Sequence, residues 1–143
     1  MSSLRYQISA ALFAALQGAP DLAGAVVMDN PVTAAALAKG DRIVFLEDLS
    51  DGLIDQAAQQ GKRRFVFGLG VICRTTTARA GADADYAAAE AAVRGAHTTL
   101  AGTLRCGPLR ERDVTFKVEG IDVGGALVMG TFEIEYLRPR PPL

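Results

Sequence analysis

The sequence predicts an α+β fold: an antiparallel or mixed sheet of four to five strands, with two helices packed on one face. Two stretches place apolar residues at helical spacing, and several others alternate with a period of two. The segments run helix, strands, helix, strands, without the one-by-one alternation of a parallel α/β fold. A length of 143 residues, half of them hydrophobic and 22% charged, suits one soluble domain over 1–143. Many of the hydrophobic residues are alanines, so the core leans on a few large side chains.

The first helix is read over residues 4–16. Leu4, Ile8, Leu12 and Leu16 recur every fourth residue with Phe13 beside them, and Gly18 and Pro20 end the run. Residues 23–28 are short and rich in small and β-branched types, and Asp29-Asn30-Pro31 would close a strand there. The unbroken run Ile43-Val44-Phe45-Leu46, within a strand over 42–46, suits a position near the sheet centre, covered on both faces.

A long strand is expected over 63–77. Phe65, Phe67, Leu69, Val71 and Cys73 share one face, while Arg64, Gly68, Gly70, Arg74 and Thr76 share the other with Val66 and Ile72. Gly68 and Gly70 leave a bare patch that reads first as a bend or bulge, and second as a place where a helix or neighbouring chain approaches the backbone.

The second helix is read over 83–100 from Tyr86, Ala89, Val93, His97 and Leu100, with Asp83 or Asp85 as its cap. Residues 113–119 and 127–137 alternate as two strands, the second turning Val128, Phe132, Ile134 and Tyr136 inward and Glu133 and Glu135 toward solvent or a partner. The turn-forming residues 120–125 between them predict an antiparallel hairpin. The proline-rich residues 138–143 read as a flexible tail.

A formal net charge of −1 supplies no field to draw in a polyanion, so general nucleic-acid binding is disfavoured. The chain shows neither a basic start leading into an apolar segment nor a run of bilayer-spanning length, so secretion and membrane insertion lack support. Cys73 and Cys106 stand far apart and outside any Cys-x-x-Cys pattern, so reduced thiols are expected in place of a disulfide framework or zinc site.

No catalytic constellation is read from the residues, and neither a cofactor nor a metal is assigned. His97, the sole histidine, lies on the apolar stripe of the second helix and is read as structural. Glu47, Asp48, Asp51 and Asp55 form an acidic run read as a solvated loop, because they lack the spacing of a calcium loop. The Gly68–Gly70 stretch has no third glycine and leads into strand-like residues, unlike a phosphate loop. None of the four serines sits in a Gly-x-Ser-x-Gly turn.

The acidic run precedes the basic residues Lys62, Arg63, Arg64, Arg74 and Arg79. Charges separated in this way suit either pairing within one chain or opposite patches that meet between copies in a head-to-tail ring. Glu47, Asp48, Asp51, Lys62, Arg63, Arg64 and Arg74 are therefore the candidate subunit-interface or lumen residues. On that reading, reversing Arg63 and Arg64 to glutamate disrupts assembly and leaves the monomer folded.

The layout resembles the tail terminator, or tail-completion, proteins of long-tailed bacteriophages. The resemblance rests on the opening helix, the strand Asp41-Arg42-Ile43-Val44-Phe45-Leu46-Glu47-Asp48, the basic-flanked strand over 63–77, the alanine-rich helix and the closing strand Gly130-Thr131-Phe132-Glu133-Ile134-Glu135-Tyr136. It spans nearly the whole chain as a likeness of order and texture. It implies a non-enzymatic virion subunit, assembled in the host cytoplasm, that forms a ring, commonly of six copies, at the tail–neck junction. The implied partners are a tail tube protein and a neck or connector protein, with DNA passing non-specifically through a lumen that Arg63 and Arg64 face. The alternative from a different class is a hot-dog-type acyl thioesterase or acyl-binding protein, with the second helix as the one its sheet wraps.

Overall fold

The computed structural model describes residues 3–31, 40–55, 60–75, 77–104, 106–117 and 125–139. Helix α1 spans Leu4–Gln17; the Ser3 side chain caps it by accepting from the Tyr6 N–H at 3.1 Å, and Gly18 closes it by donating to the Ala14 carbonyl. A short 3-10 turn, Pro20–Leu22, leads into strand β1, Val26–Asp29. Strands β2 (Arg42–Asp55) and β3 (Gln60–Cys73) follow, then helix α2 (Ala78–Thr103), then strands β4 (Leu109–Lys117) and β5 (Ala126–Pro139).

The five strands form one mixed sheet in the order β1-β2-β3-β5-β4. β1 runs parallel to β2, and every other neighbouring pair is antiparallel. The expected α+β architecture is therefore present, and the β4–β5 pair is antiparallel as read. Residues 120–124, the expected turn between them, lie outside the described residues, as does Thr76.

Strand alternation divides the sheet into two faces. One carries Val44, Leu46, Phe65, Phe67, Leu69, Val71, Cys73, Val128, Phe132, Ile134 and Tyr136, which pack with Ile8, Leu12 and Leu16 of α1 and Tyr86, Ala89, Val93 and Leu100 of α2 into the main core. Phe67 stacks between Phe65 and Phe132, with ring centroids 5.5 and 5.6 Å away. Ile43, Phe45 and Ile72 form a smaller buried cluster, with Met28, Leu127 and Met129 partly buried against it. These residues belong to the opposite face by alternation.

Several boundaries differ from the sequence reading, each for a physical reason. The acidic run is not a loop: β2 continues to Asp55 in register with β3, with irregularities at Leu49 and Ile54. Helix α2 begins at Ala78, so neither Asp83 nor Asp85 is its cap; Asp85 lies about two turns inside the helix, buried against Arg42. β4 begins four residues early, at Leu109, because Leu109 and Arg110 pair with Ile134 and Glu133. The expected tail starts inside a strand, where Arg138 pairs with Gly61 and Pro139, the last residue of β5, with Gln60. Residues 140–143 lie outside the described residues.

Gly68 and Gly70 mark neither a bulge nor a docking place for a helix, since the β2–β3 and β3–β5 registers pass through both without a shift. A Cβ on Gly70 would overlap the Phe45 ring, and one on Gly68 would sit 2.5 Å from Met129 Cε. Side chains from the two flanking strands lean over the bare backbone. Asn30 has φ 48°, in the left-handed region that asparagine tolerates. This conformation lets its N–H reach the Leu46 carbonyl at 2.7 Å while its Oδ1 accepts from the Asp48 N–H at 2.7 Å.

Candidate functional site

The antiparallel β2–β3 register brings the acidic and basic segments side by side. Asp51 pairs with Phe65 and Leu53 with Arg63, so Arg63 and Asp51 are diagonal neighbours on the helix-covered face. Arg63 Nε donates to Asp51 Oδ1 at 3.1 Å and Arg63 Nη2 to the Asp51 carbonyl at 2.9 Å. Tyr136, on the far side of β3, donates its hydroxyl to Asp51 Oδ2 at 2.6 Å. From α1, Arg5 reaches Asp48 at 3.0 Å and Asp51 at 3.8 Å, and the Ser9 hydroxyl donates to Asp48 Oδ1 at 2.9 Å.

Burial of the Tyr136 ring, reinforced by its hydrogen bond to the Asp51 carboxylate, pushes the phenol up to about 12. The hydrogen bond from Arg63 to the same carboxylate raises the pKa of the guanidinium, against the opposing pull of desolvation. Both effects favour the ion pair and the neutral phenol that the geometry requires.

Lys62 and Arg64 project from the other face, toward Glu133 and Glu135. Lys62 Nζ lies 3.2 Å from Glu135 Oε2, and Arg64 Nη2 lies 3.5 Å from Glu135 Oε1. Arg64 Nε is 3.3 Å from Glu133 Oε2, near enough for an ion pair although its N–H is poorly aimed at that oxygen. The hydrogen bond from Lys62 holds the Glu135 carboxyl below the usual carboxylate range. The two glutamates expected to face solvent or a partner are thus engaged within the chain.

The seven candidate residues therefore fall into two clusters and two separate positions. Asp48, Asp51 and Arg63 meet on one face, and Lys62 and Arg64 lie on the other. Arg74 is elsewhere, donating from Nη1 to the Gly40 carbonyl at 2.6 Å, and Glu47 pairs in register with Gly68. Arg5, Ser9 and Tyr136 were missed by sequence reasoning. A signal existed for the first two, since Arg5 and Ser9 stand one helical turn apart on α1 and project together.

His97 Nε2 lies 2.7 Å from the Gly107 carbonyl; a carbonyl only accepts, so that nitrogen carries the hydrogen and ties α2 to the segment before β4. Cys73 Sγ is 3.3 Å from Thr75 Oγ1, and burial pushes the Cys106 thiol up. Among the described residues, no group of three or more histidine, cysteine or acidic side chains gathers at metal-binding distance. No helix described is long and apolar enough to cross a membrane. An apolar groove of about 770 Å³ opens between the start of α2 and the β4–β5 pair, with Ala78, Ala82, Phe116 and Val128 among its lining.

The surface bears one further pattern. Leu49, Leu53, Ile54 and Leu137 are between 40% and 47% exposed. Leu53 pairs with Arg63, and Leu137 with the adjacent Lys62, so the two lie at the same end of the sheet, where β2, β3 and β5 run out together.

No protein-family model matches this chain, and no curated protein matches it either.

Proposed function

We propose that this chain is a structural subunit that assembles with copies of itself into a ring, in the manner of the bacteriophage tail terminator proteins its layout resembles. In a virion such a ring would close the tail tube and join it to a neck or connector protein. The observation that carries this reading is the exposed apolar residues along the outer half of β2, Leu49, Leu53 and Ile54, with Leu137 of β5 near the same end of the sheet. Isolated exposed leucines are ordinary, whereas three exposed apolar residues within six positions of one edge-side strand suit an interaction surface.

The charged residues support the same reading by their state of engagement. Asp51, Arg63 and Tyr136 satisfy one another, as do Arg42 and Asp85, so these titratable groups act as cross-links in the fold. Assembly then depends on apolar contact and backbone more than on the Asp51–Arg63 charges. The thioesterase alternative needs a carboxylate free to act as a base. Asp85, the one buried carboxylate among the described residues, is bound by two nitrogens of Arg42.

Light scattering across a concentration series tests the proposal. A particle several times the 15.0 kDa chain mass, of ring size, supports it. A tight dimer that hydrolyses a model acyl thioester would replace it with the alternative.

A further inference from the structure

The sheet ends in two unequal edges. β1 pairs only with Ile43–Leu46 of β2, through Val26–Asp29, and Asn30 extends that pairing as far as the Asp48 N–H. From residue 49 to residue 55, no described strand lies on the outer side of β2. At the opposite edge, no described strand lies outside β4. Unpaired edges are templates for another strand, and natural proteins blunt them with charge, bulges or short length. Here β2 keeps a 14-residue strand with the exposed apolar residues Leu49, Leu53 and Ile54.

Strand direction makes the two edges compatible. β2 and β5 are both antiparallel to β3, and β4 is antiparallel to β5, so β4 runs antiparallel to β2. A second copy in the same orientation beside the first would therefore set its β4 against this β2 as an ordinary antiparallel ladder. Charge favours that match over a symmetric one: residues 47–55 hold four acidic and no basic residues, of which Asp48 and Asp51 are answered within the chain by Arg5 and Arg63, whereas residues 109–117 hold three basic and two acidic. The irregularities at Leu49 and Ile54 restrict regular pairing to the stretch between them, which discourages indiscriminate partners.

We propose that the outer edge of β2, over residues 49–55, receives β4 of a second copy of this chain, joining subunits head to tail through a continuous sheet. The inference rests on the ring reading above and names its contact. It also implies a stagger. Within one chain Arg110 lies level with Ser50, through Glu133 and Val66, whereas the free edge runs on to Asp55, paired with Lys62 four steps further along β3. Meeting that edge shifts each copy along the strands by about four residues, roughly 13 Å at ~3.3 Å per residue. Such a stagger is the shear that tilted strands need to close into a barrel. In this register Thr115 comes opposite Ser50, and both are exposed.

Cysteines placed at Ser50→Cys and Thr115→Cys test the contact. Within one chain these positions are three strand spacings, about 14 Å, apart across the sheet and four residues, roughly 13 Å, apart along it, beyond the reach of a disulfide. The expected result on oxidation is a ladder of covalent multimers that collapses on reduction and is absent from the unsubstituted chain. A native particle of ring size without that ladder overturns the edge contact and leaves the ring reading standing. A chain that stays monomeric at every concentration and gives no ladder overturns both. Ser50→Cys alone trapping a dimer would show β2 meeting β2 and also overturn the proposal. As a second measurement, Leu49→Lys with Leu53→Lys should reduce the particle to monomer mass with an unchanged circular dichroism spectrum. Retention of ring mass by that variant overturns the contact.

Discussion

Arg42 and Asp85 are joined by two hydrogen bonds, Nε to Oδ2 at 3.0 Å and Nη2 to Oδ1 at 2.8 Å, which fasten the first residue of β2 to helix α2. Arg42 also donates to the Ala23 carbonyl at 3.1 Å, so one guanidinium links the sheet, the helix and the segment before β1. The Asp85 carboxylate is buried, and its hydrogen bond raises the pKa of Arg42.

Removing the guanidinium strands that carboxylate. Arg42→Met should lower stability by about 3–5 kcal/mol, the usual cost of an uncompensated buried charge. Replacing both partners, Arg42→Met with Asp85→Leu, should recover most of the loss. Urea denaturation of the two variants checks both statements.

Tyr136 predicts a pH dependence. Its phenol and that of Tyr86 are both pushed up to about 12, chiefly by burial. Their unfolded counterparts ionise near 10, so between pH 10 and 12 the unfolded chain binds fewer protons than the folded one. Stability from these groups is complete below pH 10 and falls as pH rises toward 12. Tyr136→Phe should cost about 1–2 kcal/mol at neutral pH through the lost bond to Asp51, and should flatten the alkaline slope. An unchanged slope would remove Tyr136 from this account.

Gly70 is the third test. A side chain there must displace the Phe45 ring, so Gly70→Ala should destabilise by about 1–3 kcal/mol. Shortening the ring with Phe45→Leu should make the second substitution less costly than it is alone. A double-mutant cycle measures that coupling, and additivity of the two changes would refute the contact.

Arg63 and Arg64, adjacent in sequence, should behave differently. Arg63→Glu sets a carboxylate beside Asp51 and should cost the monomer about 2 kcal/mol, whereas Arg64 is 43% exposed and its reversal should cost within about 1 kcal/mol. Of the two reversals, Arg64→Glu should leave the monomer at nearly full stability and Arg63→Glu should leave it folded but weakened. Thermal melts of the single variants separate the two.

The core was legible in the sequence because its signal is local. Leu4 to Leu16 and Phe65 to Cys73 declare their faces by spacing alone, and both faces are buried as read. The Asp51 cluster was not legible, because Arg5, Asp51, Arg63 and Tyr136 come from four separate elements whose meeting depends on strand register. A local reading of Glu47–Asp48 and Asp51 favours a loop; only the arginine and tyrosine supplied from β3 and β5 make a strand acceptable there. Asp85 misled for a related reason: aspartate near a helix start is usually a cap, and its partner Arg42 lies 43 residues away.

The position of β5 bears on how the sheet is completed during synthesis. It comes last in order among the described strands, yet it lies between β3 and β4. While the chain emerges, β2 and β3 can zip together and α1 can dock, but β4 has no described neighbour other than β5. β3, carrying Phe65 and Phe67, meanwhile shows a bare flank. Closure waits for the latest strand, so a nascent chain halted before residue 126 exposes the sticky middle of its own sheet, and that interval is when a chaperone would matter most.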